Sequence, residues 1–376
     1  MYTDGGGCQN SNPGVRLSMT SKWSWRQVFL PWREPANTSN VFALNGWKNH
    51  LYLGTRNLMS GGEVFRSEDG TTWESASAPG FGDEFNRDIY GFVDFQNRLY
   101  AGTYNGIHHD FTFSKGMRTD PVGGAQVWRS CEGQSWECMI HDGFGDPNNQ
   151  DTFNFIEYEG ALYVGTFNPE TGAEIHRSGD GRRWNRVYKT GSAKQDYIRA
   201  FGIMNGRLYA SVGKLGPVAL LETTDGRQWI DVMAGQIPKH LTDAIRIAVD
   251  HDTLVAAMTK WRSNMPLEMW RYRSGIWDRI SPLGFGNPNN CLAGGMVVHL
   301  GRIVAATWNE VDGTEVWLCN DVGNPEWKQI NQSGFGDSRN VGCVFGMTVY
   351  QDKLYVGTAT IPAESFPSQL WVGTEE

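Results

Sequence analysis

The chain of 376 residues carries 33 basic and 41 acidic side chains, a formal net charge of −8 at pH 7. No basic stripe stands out in this acidic balance, which argues against a nucleic-acid partner. No run of about 18 apolar residues is present to span a membrane as a helix.

In chain order, residues 1–22 form an N-terminal extension ahead of the first strand signal, Trp25-Arg26-Gln27-Val28. No signal peptide opens the chain; Met1-Tyr2-Thr3-Asp4 could be an expression start that replaced one. Val41 to Leu44 then reads as a strand and Asn45 to Asn49 as its turn. Leu51 to Thr55 makes a second strand, Glu63 to Arg66 a third, and Trp73 opens a fourth after the turn Ser67-Glu68-Asp69-Gly70. The second strand recurs from Leu99, Leu162, Leu208, Leu254, Ile303 and Leu354, at intervals of 48, 63, 46, 46, 49 and 51 residues. Third strands echo at 126–129, 174–177, 268–271 and 315–318, and fourth-strand tryptophans at Trp136, Trp184, Trp229, Trp277 and Trp327.

A period of about 48 residues built of short strands and glycine turns is the signature of a β-propeller, whose sheets bury their faces only against one another. Seven second strands face six outer strands, so one sheet is a strand short. Trp25 to Val28 matches Trp184 to Val187 and Trp229 to Val232, and supplies it. The expected fold is all-β, a seven-bladed β-propeller over residues 23–376, its last blade closed by the N-terminal strand.

The turn Ser67-x-Asp69-Gly70-x-x-Trp73 returns as Ser178-x-Asp180-Gly181-x-x-Trp184 and Thr223-x-Asp225-Gly226-x-x-Trp229, with a weaker copy from Ser130 to Trp136. It resembles the Asp-box of sialidases and related propellers, one residue tighter than their usual spacing. That likeness implies a fold and no activity; the Ser and Asp side chains are expected to bond hairpin amides while Gly supplies a positive φ. A second element, Gly80-Phe81-Gly82-Asp83-x-x-Asn86, returns at 143–149, 284–290 and 334–340. Its near-identical copies read as a structural clasp, with calcium ligation by hard oxygens as the other reading.

Six cysteines include Cys131 and Cys138, whose spacing suits a disulfide across a hairpin, and Asn37-Thr38-Ser39 and Asn331-Gln332-Ser333 are glycosylation sequons. Together they favour a secreted or secretory-pathway protein, with a cytosolic chain of free thiols as the alternative.

If the repeats are scaffold, function belongs where they disagree. Five residues beyond each second-strand anchor stand Arg56, Tyr104, Phe167, Gly213, Thr259, Trp308 and Ala359. Six beyond stand Asn57, Asn105, Asn168, Lys214, Lys260, Asn309 and Thr360. Lys214 and Lys260 could place positive charge near the axial mouth. Trp308, Tyr104, Phe167 and Trp261 could make an aromatic rim; solvated lysines and packing aromatics are the alternatives. Eight residues before the anchors, five of seven positions are tiny, and Asn154 and Arg246 are the exceptions. Arg246 either pairs with a buried carboxylate or reaches into the funnel as an anchor for a ligand anion or oxygen. The longest interval holds His108-His109-Asp110, in an insertion that is either a lid with a general acid or base, or an ordinary surface loop. Adjacent histidines on an extended loop point apart and no third ligand is evident, so no metal is expected.

No Ser–His–Asp order, phosphate loop or Cys/His metal pattern is present, and the arginine cluster and tyrosine nucleophile of a sialidase cannot be assigned. The seven-fold Leu-Tyr-x-Gly-Thr and Ser-x-Asp-Gly-x-x-Trp frame, with the cysteines, the sequons and this lack of hydrolase machinery, resembles the secreted-type hetero-Diels–Alderase propellers of fungal tropolone sesquiterpenoid pathways. The resemblance implies a cofactor-independent enzyme that dehydrates a hydroxymethyl tropolone to a quinone methide and adds it to a polyene such as humulene. His108, Lys260 and Arg246 would be donors, and Arg56, Tyr104, Asn154, Phe167, Lys214, Trp261 and Trp308 would line the funnel. No catalytic motif is carried over residue by residue. A glycan-binding or polysaccharide-acting propeller, whose aromatic rim stacks on sugars, is the second class; a protein-interaction scaffold is the third.

Overall fold

Short runs of apolar and β-branched residues, separated by turns rich in glycine and asparagine, make the chain fold back on itself every few residues. The computed structural model describes residues 22–28, 30, 39–106, 123–214, 216–233, 235–260, 263–343, 345–361 and 367–376. Within them the regular structure is strand, interrupted by short 3-10 turns, and no helix is long and apolar enough to cross a membrane.

After β1 (Trp23–Val28), consecutive strands pair into antiparallel meanders. The first joins β2 (Ser39–Trp47), β3 (His50–Asn57), β4 (Val64–Ser67) and β5 (Glu74–Ser75). The second joins β6 (Asp88–Phe95), β7 (Arg98–Tyr104), β8 (Val127–Ser130) and β9 (Trp136–Ile140). The third joins β10 (Phe155–Tyr158), β11 (Ala161–Gly165), β12 (Glu174–Ser178) and β13 (Asn185–Lys189). The fourth joins β14 (Tyr197–Met204), β15 (Arg207–Gly213), β16 (Ala219–Thr223) and β17 (Ile230–Asp231). The fifth joins β18 (Asp243–Asp250), β19 (Thr253–Thr259), β20 (Glu268–Arg273) and β21 (Ile276–Arg279). The sixth joins β22 (Leu292–His299), β23 (Arg302–Trp308), β24 (Val316–Cys319) and β25 (Trp327–Gln329).

A short β26 (Asn340–Gly342) bridges β23 to the last meander, built from β27 (Met347–Tyr350), β28 (Lys353–Thr360) and β29 (Gln369–Glu375). Its outer strand is β1, with Trp23 opposite Glu375 and Val28 opposite Leu370. The opening strands meet in sequence: β2 with β6, β6 with β10, β10 with β14, β14 with β18, β18 with β22, β22 with β27, and β27 with β2.

Two fasteners recur between neighbouring meanders. In the first, Asp69 Oδ1 accepts from the amides of Thr71 and Thr72 at 2.7 Å and from Ser67 Oγ at 3.0 Å. Asp180 and Asp225 bond their hairpins in the same way. Gly70, at φ +71°, lies against the Tyr355 hydroxyl of the adjoining meander, and a Cβ there would overlap it. Tyr52, Tyr100 and Tyr163 meet Gly133, Gly181 and Gly226 in the same manner. The second residue of the Leu-Tyr strand therefore reads the glycine of the next meander's turn.

The Gly-Phe-Gly-Asp-x-x-Asn element is the second fastener. Asn149, fully buried, donates through Nδ2 to Gly143 O at 2.9 Å and to Glu174 Oε2 at 3.0 Å. Its Oδ1 accepts from Thr166 Oγ1 at 3.1 Å and Asn168 Nδ2 at 3.0 Å. Phe144, held at φ +62°, offsets that backbone cost by stacking on His176, 4.1 Å between centroids. Phe81 on Trp128, Phe285 on Trp317 and Phe335 on Trp371 repeat the contact at 4.7, 4.9 and 4.6 Å. Between the fourth and fifth meanders neither fastener occurs among the described residues. There Arg199 pairs with Asp243, and His240 Nε2 stands 2.9 Å from Glu268 Oε1.

One expectation is corrected. Cys131 and Cys138 are exposed free thiols, because Ser130 pairs with Trp136 and Trp128 with Cys138, which sets Cys138 too far down β9 to meet the turn. Asn331, half-buried, uses its carboxamide between neighbouring strands: its Nδ2 donates to Thr314 O at 3.1 Å and its Oδ1 accepts from Val316 N at 2.7 Å. Asn37 lies outside the described residues.

Candidate functional site

The opening strands bring the site together by a slip in register. In β6, β14 and β18 one residue drops out of the ladder, between Ile89 and Gly91, Ile198 and Ala200, and Ala244 and Arg246. Tyr90, which falls in the first slip, meets Phe42, Phe153 and Phe345 at centroid distances of 5.1, 5.4 and 5.9 Å. These rings come from four different meanders and converge where the opening strands face one another. Arg246 lies among them, its guanidinium 4.6 Å from the Phe153 ring and 4.5 Å from the Phe345 ring, and its Nε donates to Gly294 O at 2.7 Å.

Ion pairs surround this aromatic centre. Arg56 makes a bidentate pair with Asp88 at 2.6 and 2.7 Å, its plane 4.2 Å over Phe42. Arg199 does the same with Asp243 at 3.1 and 2.8 Å, 3.9 Å over the Tyr197 ring. The Tyr197 hydroxyl donates to Asp151 Oδ2, while Asp151 Oδ1 and both oxygens of Asp196 are buried without a hydrogen-bond partner. Lys214 Nζ stands 3.9 Å from Asp196 Oδ2 and 3.9 Å from the centre of Phe167. Lys214 also has a φ of +116°, a conformation that costs a non-glycine residue about 1–3 kcal/mol.

Burial disfavours the charged form of each of these groups. It pushes the Asp151 carboxyl up to about 8, with the Asp88 charge adding to the rise and the Tyr197 bond opposing it. Asp196 is pushed up to about 6 against the pull of Lys214, and Lys214 is itself pushed down to about 8. Arg246 is pushed down to about 10, and Tyr90 and Tyr197 are held well above the ordinary phenol value. Burial thus favours the protonated form of Asp151 strongly and shifts Asp196 the same way to a smaller extent.

The site gathers several residues picked out as departures from the repeat. Arg56, Tyr104, Phe167, Lys214, Arg246 and Trp308 all belong to this central cluster or to the core around it. The roles of some are corrected. Arg56 is committed to Asp88. Tyr104, Phe167 and Trp308, at 5%, 5% and 9% exposure, pack inside the ring and form no open rim. Tyr104 donates to Gln150 Oε1 at 3.3 Å, and Trp308 Nε1 to Glu310 Oε1 at 3.1 Å. Asn154 is spent on a bond to the backbone oxygen of Arg199. Lys260 is exposed beyond the end of β19 and joins none of these groups. Arg246 pairs with no carboxylate among the described residues. His108 and Trp261 lie outside the described residues.

The carboxylates were missed. Asp88, Asp151 and Asp243 stand three residues ahead of the column containing Arg246, where the seven repeats read Asn40, Asp88, Asp151, Tyr197, Asp243, Leu292 and Cys343, and Asp196 stands one residue before Tyr197. That column carries a visible signal: three acids and a tyrosine in consecutive repeats.

No protein-family model matches this sequence, and no curated protein matches it. Among solved structures, an ancestral GH74 enzyme is similar at 13% identity and a TM-score of 0.55, covering 89% of this chain and 47% of that one. A prolyl endopeptidase structure matches at 10% identity and a TM-score of 0.47, covering 78% and 42%. This chain spans less than half the length of either. The likeness to the GH74 enzyme supports an all-β, propeller-like fold and carries no activity with it.

Proposed function

We propose that the chain is a seven-bladed β-propeller whose axial centre performs cofactor-independent acid–base chemistry on a small oxygenated organic molecule. The blade count rests on the seven meanders, the outer strand lent by β1 and the closed circuit of opening strands. The chemistry rests on one observation: Asp151 is buried with a bonded Oδ2, an unbonded Oδ1 and a carboxyl pushed up to about 8. Such a group keeps its proton at neutral pH and can deliver it to a bound hydroxyl. Asp196, pushed up only to about 6, offers a base in the same cluster, linked to it through Tyr197 and Lys214.

This pair suits the loss of water from a hydroxymethyl tropolone. Asp151 protonates the leaving hydroxyl, the C–O bond breaks, and Asp196 takes the ring hydroxyl proton as its electron pair forms the carbonyl of a quinone methide. Water departs, and a proton passes from Asp196 back to Asp151. Cycloaddition to a polyene such as humulene then redistributes electron pairs and asks only for positioning. A glycan-acting propeller is the second reading: Tyr104 and Trp308 are buried and form no stacking surface, while Trp261 lies outside the described residues.

The test incubates the purified protein with a hydroxymethyl tropolone and humulene and follows the adduct by liquid chromatography and mass spectrometry. Adduct formation well above the buffer rate, lost in Asp151→Asn, sustains the reading. A wild-type rate equal to buffer, or an undiminished Asp151→Asn, sinks it.

A further inference from the structure

Three of the cations at the ring's centre have a carboxylate of their own. Arg56 faces Asp88, Arg199 faces Asp243 and Lys214 faces Asp196. Arg246 is the exception. Its guanidinium lies against Phe153 and Phe345, whose rings meet edge to face at 4.3 Å, its Nε is spent on Gly294 O, and no acceptor among the described residues reaches Nη1 or Nη2. The carboxyl left over, Asp151, is bonded by Tyr197 and protonated near neutral pH, so it does not balance this charge.

Arg246 is half-buried, and a cation with part of its hydration removed and no carboxylate among the described residues gains from a ligand that meets its remaining donors. Paired bonds from a guanidinium fork match the two oxygens of one carboxylate. The adjoining rings, tilted 64° to each other, add apolar surface next to that group for an aromatic body. A tetrahedral dianion fits less well, since it brings more negative charge than one guanidinium offsets.

We propose that Arg246 is the receptor for a carboxylate carried by the molecule that binds at the centre of the ring, an arylcarboxylate being the chemical class. The inference rests on the proposed site for its location and names a ligand class of its own, since neither hydroxymethyl tropolone nor humulene carries a carboxylate, and its test reads binding and not turnover.

The probe is benzoate, with benzamide as the neutral isostere and sulfate as the non-planar anion, each titrated by calorimetry and by thermal shift. Wild-type protein should bind benzoate and be stabilised by it, with no response to benzamide. Arg246→Gln should abolish binding, and Arg246→Lys, which keeps the charge and loses the fork, should weaken it by about tenfold or more. Lys260→Ala, exposed and outside the cluster, should bind benzoate as wild type does, and because binding is read without turnover a failure of the proposed chemistry leaves this result standing. Equal responses to benzoate and benzamide would overturn the proposal. So would wild-type affinity in Arg246→Lys, or a response to sulfate as strong as that to benzoate. Should Arg246→Gln fail to fold, Arg246→Lys carries the decision.

Discussion

Lys214 holds its ammonium 3.9 Å from Asp196 Oδ2 and the same distance from the centre of the Phe167 ring. An aromatic face and one carboxylate replace the water that a lysine ordinarily keeps, and burial prevails by pushing the amine down to about 8. The unfolded chain, with a lysine near 10.4, binds more protons than the folded one between about pH 8 and 10. This group therefore makes stability rise with pH across that window. In Lys214→Met the rise should shrink, read as the difference between melting temperatures at pH 8 and pH 10; an unchanged difference would place the amine in water.

Asp151 acts with the opposite sign. Its folded value of about 8 lies above that of an unfolded aspartate near 4, so the folded state binds the extra proton and stability falls as pH rises from about 4 to 8. The slope is at most about 1.4 kcal/mol per pH unit. Asp151→Asn should remove this component, leaving a flatter melting profile between pH 5 and 8. A profile as steep as wild type would mean that the carboxylate is ionised at neutrality, and the general-acid role would go with it.

The asparagine clasp predicts a large cost for a small deletion. Asn149→Ala removes four hydrogen bonds and takes away the acceptor of the buried Thr166 hydroxyl, while Gly143 O keeps Asp146 N, Glu174 keeps His176 and Lys189, and Asn168 keeps Asp146. Each buried hydrogen bond is worth about 0.5–1.5 kcal/mol net, and a buried donor left unmet costs about 1–3 kcal/mol. Chemical denaturation should therefore show a loss of about 3 kcal/mol or more, against a few tenths for an exposed asparagine.

Gly181→Ala tests the tyrosine contact. Gly181 and Gly301 have nearly the same φ, +67° and +69°, but a Cβ at Gly181 runs into Tyr100 while one at Gly301 meets nothing within 4 Å. Both substitutions incur the left-handed backbone penalty of about 1 kcal/mol. Only Gly181→Ala adds the clash, so its denaturation midpoint should fall well below that of Gly301→Ala.

Cys131 and Cys138 should both react with a thiol reagent in the folded protein without prior reduction. Cys138, pushed up to about 11 by burial of its sulfur, should react more slowly than Cys131 at pH 8. Reductant should leave the melting temperature unchanged.

Much of this architecture was legible because the repeat writes each element several times. Leu-Tyr strands and tryptophan strands counted against each other revealed that Trp25 to Val28 belongs beside the last sheet. Lys214 and Arg246 announced themselves by departing from columns that are mostly asparagine and mostly tiny, whereas Arg56 stands in a column of seven different residues. Asp88, Asp151 and Asp243 did not, because an aspartate just before a strand looks like an ordinary turn residue until the ring brings several of them to one centre. Tyr104, Phe167 and Trp308 were placed correctly along their strands and misjudged in depth, since an inward side chain at that offset meets its counterparts from other meanders. The cysteine pair failed on register, which spacing in the sequence does not reveal.

The joint between the fourth and fifth meanders has one consequence for the whole molecule. At every other joint shape does the fastening, a tyrosine seated on a glycine or a phenyl stacked on an indole or imidazole. At this one, among the described residues, a buried apolar cluster around Leu220, Ala244 and Ile247 and the edge contact of Tyr209 with Tyr272 take their place, with the buried Arg199–Asp243 pair as the polar fixture. A like pair, Arg56–Asp88, joins the first and second meanders, where a seated tyrosine and a stacked phenyl stand beside it. Loss of the pair should therefore be felt more at the fourth joint than at the first, and salt should hardly touch either, because both pairs lie out of water.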